Sequence, residues 1–99
     1  MSVYNDELYL REAIESMLNQ TFEDFEFLIM NDGSTDLSGD IIRSYQESRI
    51  KFLDNQHNLG LARSLNRGIN LAKGKYLARQ DSNDVSHPDR LRKQYDYME

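Results

Sequence analysis

Apolar positions along the chain change their spacing several times, and each change marks an element. Leu10, Ala13, Ile14, Met17 and Leu18 recur at three- and four-residue intervals, which predicts a helix from about residue 6 to Asn19-Gln20 with one buried stripe. Asn5 or Asp6 is placed to cap it, and Glu7 stands in its first turn, near the positive end of the helix dipole. Residues 25–30, Phe-Glu-Phe-Leu-Ile-Met, form a short and almost unbroken apolar run, the pattern of a strand covered on both faces. Ile41, Ile42 and Tyr45 predict a second helix over about residues 37–47. Ile50 to Leu53 reads as a short strand in which Lys51 indicates an edge-like position. Leu61, Leu65, Ile69 and Ala72 mark a third helix, closed by Lys73 and Gly74. Tyr76 to Ala78 predicts another strand, whereas Met1 to Tyr4 are enough only for the end of one. Pro88 suits the first turn of a last helix with Leu91, Tyr95 and Met98 on one face.

Strands alternating with helices in this order predict the α/β class, as a three-layer αβα arrangement with a mainly parallel sheet and right-handed crossovers. Residues 31–36, 54–58 and 80–84 are polar, and each segment follows a predicted strand. All three therefore fall at one end of the sheet, where open parallel sheets bind their ligands. The last of them, Gln80-Asp81-Ser82-Asn83-Asp84, offers the oxygen-rich set preferred by hard cations such as Mg²⁺ and Mn²⁺. A turn that caps the following helix uses the same residue types. Convergence of three clusters, more than any one of them, is what points to a ligand site.

Composition narrows the possibilities. At 99 residues, with no repeat, low-complexity tract or linker, the chain is read as one small domain with a modest core. A net charge of -5 argues against a nucleic-acid or anionic-membrane binder, which needs a basic field. The absence of cysteine excludes a disulfide scaffold, thiolate zinc sites and a thiol nucleophile. No apolar run approaches the ~20 residues of a membrane span, and no signal-peptide core follows Met1. The expected location is therefore the cytoplasm, at most against the cytoplasmic face of a membrane. Dinucleotide-binding and P-loop glycine patterns are missing. The acidic runs fail as calcium loops, because counting from Asp81 puts Ser86 and Arg92 where glycine and glutamate are required. His57 and His87 lack a metal-ligand spacing, and His57 is read as a surface loop residue.

Other patterns run in a recognisable order along the chain. They are Val3-Tyr4-Asn5, residues 10–16 (Leu-Arg-Glu-Ala-Ile-Glu-Ser), Asn19-Gln20-Thr21-Phe22 and residues 31–36 (Asn-Asp-Gly-Ser-Thr-Asp). Asn58-Leu59-Gly60-Leu61-Ala62, Asn66-Arg67-Gly68, residues 72–76, Asp81-Ser82-Asn83-Asp84 and Pro88-Asp89-Arg90-Leu91 follow. Together they resemble the N-terminal, nucleotide-sugar-binding part of a family 2 glycosyltransferase with the GT-A fold. The resemblance implies a nucleotide-sugar donor, most often a UDP-sugar, and transfer of the sugar to an acceptor hydroxyl on a sugar or glycan. It gives Tyr4 the place against the base, and Asp32 the place of the acid that accepts from the base's ring N–H, a task suited to an acceptor-only carboxylate. Arg63 is a candidate for the base or diphosphate. Asp81 and Ser82 fall in the D-x-D segment at the ribose and diphosphate, with Asp81, Asn83 and Asp84 as the metal candidates.

Two departures from the family pattern carry consequences. D-x-D reads Asp81-Ser82-Asn83 here, so an amide stands where the metal-binding second acid is usual, and weaker Mg²⁺ or Mn²⁺ binding is expected. The resemblance also implies a domain truncated at both ends. Only Met1-Ser2-Val3 remain of the first strand, and the acceptor-binding half with the general base is expected beyond Glu99. An incomplete sheet leaves strand edges open and favours self-association. The alternative is a non-catalytic remnant that folds or oligomerises without turnover. A phosphate-binding nucleotidyltransferase-like enzyme is disfavoured by the missing phosphate loop.

Overall fold

The apolar run around residue 29 becomes the middle of the sheet. In the computed structural model, which describes residues 1–99, the elements are β1 (Ser2–Val3), α1 (Leu10–Leu18), β2 (Phe27–Asp32), α2 (Ser38–Arg43), β3 (Ile50–Asn55), α3 (Leu61–Leu71) and α4 (Arg90–Met98). The strands form one parallel sheet in the order β1-β2-β3. Alternate residues of β2 serve opposite faces. Phe27 and Ile29 join Val3, Leu10, Ala13, Ile14, Met17 and Ile42 in the core beneath α1 and α2. Met30 faces the other way and meets α3 at Gly68, where a Cβ would come within 2.7 Å of the Met30 Cε. Helices thus cover both faces, in the αβα layering expected. Each fully buried Leu or Ile of the core (Leu10, Ile14, Ile29, Ile42) contributes roughly 1.5–3 kcal/mol.

Three local expectations are corrected. α1 starts at Leu10, after Tyr9, without a side-chain cap. Asn5, Asp6 and Glu7 are committed elsewhere: their backbone N–H groups donate to Ser34 Oγ, Ser38 Oγ and Asp36 Oδ2 at 3.0, 3.1 and 3.3 Å. α2 stops at Arg43, well short of residue 47. There the Ser44 hydroxyl bonds back to the Ile41 carbonyl at 2.6 Å and the Tyr45 N–H takes the tighter i−3 partner, Ile42 O. Tyr76 to Ala78 form no strand. β1 has only two residues and spends its ladder on β2, while the Tyr76 ring turns to α4 and meets Tyr95 edge-on at 6.0 Å. β2 is consequently the central strand, and the outer edge of β1 is unpaired. β3 is the other edge, with Lys51 exposed as anticipated.

α4 begins at Arg90, two residues after Pro88. Its start is pinned to the end of α1 by buried Gln20, which donates to His87 O at 2.8 Å and accepts from the Leu91 N–H at 3.0 Å. No helix is long and apolar enough to cross a membrane.

Candidate functional site

Polar loops gather at the C-terminal end of the strands around a cleft of about 360 Å³. Its lining brings together Tyr4 and Asp6 after β1, Asp32 at the end of β2, Asn58 and Gly60 after β3, and Asp81, Ser82 and Asn83 before α4. Each polar cluster singled out in the sequence therefore contributes to one cavity. The first two clusters begin inside their strands, since Asn31 and Asp32 belong to β2 and Asp54 and Asn55 to β3. The third hangs on an irregular segment.

The loops are joined to one another by named bonds. Asn5 adopts a positive φ of 53°, a conformation Asn tolerates better than most residues. Its Oδ1 accepts from the Thr35 N–H at 2.8 Å, which holds the β1 loop against the β2 loop and presents Tyr4, 47% exposed, at the cleft. Asp36 closes the same junction, with Oδ1 accepting from the Ser38 N–H and Oδ2 from the Glu7 N–H. Burial alone would raise the Asp36 carboxyl, but these bonds and the Ser38 hydroxyl outweigh it and hold the group below its ordinary value. Gly33, at φ +74°, lets the β3 loop pack directly on the chain: a Cβ there would lie 2.7 Å from the Asn58 nitrogen.

Asp32 is 2% exposed and works as an organiser. Oδ1 accepts from Asn55 Nδ2 at 3.0 Å and from the Leu59 N–H at 2.8 Å; Oδ2 accepts from the Gly60 N–H at 3.0 Å. The carboxylate thus fixes the loop that leads into α3 while still lining the cleft.

The opposite wall is held from behind. Arg90 donates to the Gln80 side chain at 2.6 Å and to the carbonyl of Arg79, and Gln80 Nε2 donates to Asp84 O at 2.6 Å. At the front, Ser82 donates its hydroxyl to Asp6, and Arg79 pairs with Asp81 at 3.1 Å. Asn83 is exposed and faces the cleft. Asp84 is exposed outside its lining, and Arg63 is exposed on the first turn of α3, also outside it. Ser2, Asp6 and Arg79 are cleft residues that the sequence alone did not assign to the site. A carboxylate three residues past Val3, the end of β1, was the available signal for Asp6, and a basic residue two before Asp81 was the one for Arg79.

Three carboxylates, Asp6, Asp32 and Asp81, and one guanidinium, Arg79, line the cleft. An anionic ligand entering it needs added positive charge. No three His, Cys, Asp or Glu side chains are grouped so as to hold a metal by themselves. Mg²⁺ does not require such a cage, since one or two carboxylates plus ligand phosphates and water satisfy it. Asp81 with the Asn83 carbonyl oxygen fits that donor set.

A family model described as Glycosyl transferase family 2 matches residues 1–99. The chain is 46% identical over 103 residues to an uncharacterized glycosyltransferase of Methanocaldococcus jannaschii, covering 100% of this chain and 36% of that protein. It is 39% identical over 85 residues to the glycosyltransferase GlyG of Streptococcus pneumoniae, covering 84% of this chain and 28% of GlyG. The chain thus spans about a third of the length of the curated relatives it matches. Among solved structures it resembles residues 1–349 of S. aureus TarS, at a TM-score of 0.90 with 26% identity, covering 98% of this chain and 30% of that one. TarS has been solved in complex with UDP and with UDP-GlcNAc, and the latter structure matches at a TM-score of 0.91.

Proposed function

The chain belongs to glycosyl transferase family 2, and on that premise we propose that its cleft binds the nucleoside diphosphate of a UDP-sugar, for transfer of the sugar to an acceptor hydroxyl on a sugar or glycan. The observation that carries this reading is the meeting of Tyr4, Asp32, Asp81, Ser82 and Asn83 in one cavity at the carboxyl end of a parallel sheet. UDP is the favoured nucleotide because the similar TarS structures hold UDP and UDP-GlcNAc.

In this reading the exposed Tyr4 ring lies against the base and Asp32 accepts from its ring N–H. Asp81 and Ser82 meet the ribose and diphosphate. Arg79, already at the cleft, offsets phosphate charge at close range, and Arg63 does so from the rim. Asp81 and Asn83, assisted by Asp84, hold Mg²⁺ or Mn²⁺ weakly, because an amide replaces one charge. Such an ion, when bound, stabilises the charge that builds on the departing nucleoside diphosphate. The chain's own residues bind and orient the donor. Self-association through the open edge of β1 belongs to the same reading.

Calorimetric titration with UDP, GDP and dTDP, each with and without Mn²⁺, tests the proposal. UDP is expected to bind, and to bind more tightly with Mn²⁺. No heat from any of the three removes it.

A further inference from the structure

Asp32 is one end of a buried polar chain that crosses two strands into α3. In the parallel register it lies opposite Asn55, which is 3% exposed. Asn55 Nδ2 donates to Asp32 Oδ1 at 3.0 Å and to Ser64 Oγ at 3.1 Å, and Asn55 Oδ1 accepts from Arg67 Nη1. Since a guanidinium only donates, it compels the amide oxygen to face Arg67 and therefore the NH₂ to face Asp32. Ser64, fully buried, also bonds to the Ser2 hydroxyl at 2.9 Å, and Ser2 lines the cleft.

An ionised carboxylate has about four acceptor positions. Asn55, the Leu59 N–H and the Gly60 N–H occupy three of those on Asp32. One position on Oδ2 is left, on a residue that lines the cleft. The internal donors thus set the plane of the carboxylate and leave a single acceptor for a ligand.

We propose that Asn55 is a positioning residue that sets the base preference of the site. By donating to Asp32, with its own amide pinned by Arg67 and Ser64, it fixes the carboxylate plane and leaves the open Oδ2 position facing the cleft as an acceptor. The cleft then favours a nucleobase that presents a ring N–H over one that presents a bare ring nitrogen. This rests on the nucleotide-binding reading above and extends it to residues outside the cleft.

Titration with UDP and CDP tests it, because N3 of uracil carries a hydrogen and N3 of cytosine does not. The unaltered chain is expected to prefer UDP. Asn55→Asp sets a second carboxyl oxygen against Asp32 Oδ1, so the pair retains a proton and becomes a donor as well as an acceptor; the UDP-over-CDP preference should fall by about tenfold or more. Equal weakening of both nucleotides, or an unchanged ratio in a folded variant, assigns Asn55 a structural role only and overturns the inference. Should Asn55→Asp lose its cooperative melt, the unaltered chain decides: the Asn55 side-chain amide signals must shift on saturation with UDP, and their indifference overturns the inference alone. Failure of the unaltered chain to bind either nucleotide overturns the nucleotide reading itself, and this inference with it.

Discussion

Asp32 and Asp81 face the same cleft, yet one ends a paired strand and the other sits in a loop with no ladder. The Asp32 wall is built on buried, mutually bonded side chains, Asn55 and Ser64, with the backbone N–H groups of the exposed Leu59 and Gly60 tied to the same carboxylate. The Asp81 wall is an irregular segment hooked from behind by Gln80 and Arg90, and its front is half-exposed. A wall anchored on buried, hydrogen-bonded side chains suits recognition of a fixed shape such as a base. A loosely framed, exposed wall suits a diphosphate and a weakly held cation, whose geometry adjusts on binding. The difference teaches that the two halves of one site can be specified by different physics, strand register on one side and side-chain hooks on the other.

The largest expected effect comes from removing each acid in turn. Asp32→Ala removes the buried acceptor shared by Asn55 Nδ2 and the Leu59 and Gly60 N–H groups, of which only the Leu59 N–H has no second acceptor, and should cost about 1–3 kcal/mol of stability, together with UDP binding. Asp81→Ala, whose partner Arg79 is exposed, should shift stability by no more than about 0.5 kcal/mol. Urea unfolding of both variants decides, and equal losses would erase the distinction between the walls. Gly33→Ala sharpens it at the backbone. A Cβ at +74° meets the Asn58 nitrogen, and about 2 kcal/mol should be lost. Gly68→Ala meets only the mobile end of Met30 and should cost about 1 kcal/mol or less.

On the loose wall, Asn83→Asp restores a charge where an amide stands and should tighten Mn²⁺ binding by about tenfold. Unchanged Mn²⁺ and UDP affinities in that variant would show that position 83 takes no part in metal binding. The smallest effect is a pH dependence. Asp36 binds a proton less readily folded than unfolded, where its ordinary value is 3.8. Its contribution to the junction of the β1 and β2 loops is therefore complete above that value and is lost as pH falls through the lower, folded one. NMR signals of residues 5–7 and 34–38 should titrate there, and Asp36→Asn should abolish the step.

Much of this was legible from periodicity. The stripe of α1 and the run that became β2 state their burial directly, and turn-rich clusters after strands have to share one end of a parallel sheet. Tyr4, Asp32, Asp81, Ser82 and Asn83 therefore converged as expected. Residues 76–78 misled because an apolar triplet becomes a strand only where a partner edge has length to offer, and β1 has two residues. Asp6 and Arg79 were hidden because their roles depend on which loops touch. Asn55 was hidden because its importance follows from register: it stands opposite Asp32 only once β2 and β3 are aligned.

The most direct measurement is a comparison of amide shift changes in the chain on adding uridine and on adding UDP with Mn²⁺. Uridine should perturb the Asp32 wall, at Asn55, Leu59 and Gly60, and UDP with Mn²⁺ should add changes at residues 79–83. Changes confined to the open apolar trough between α3 and α4, around Phe25, Ile69 and Tyr95, or shifts at residues 79–83 from uridine alone, would contradict the two-walled site.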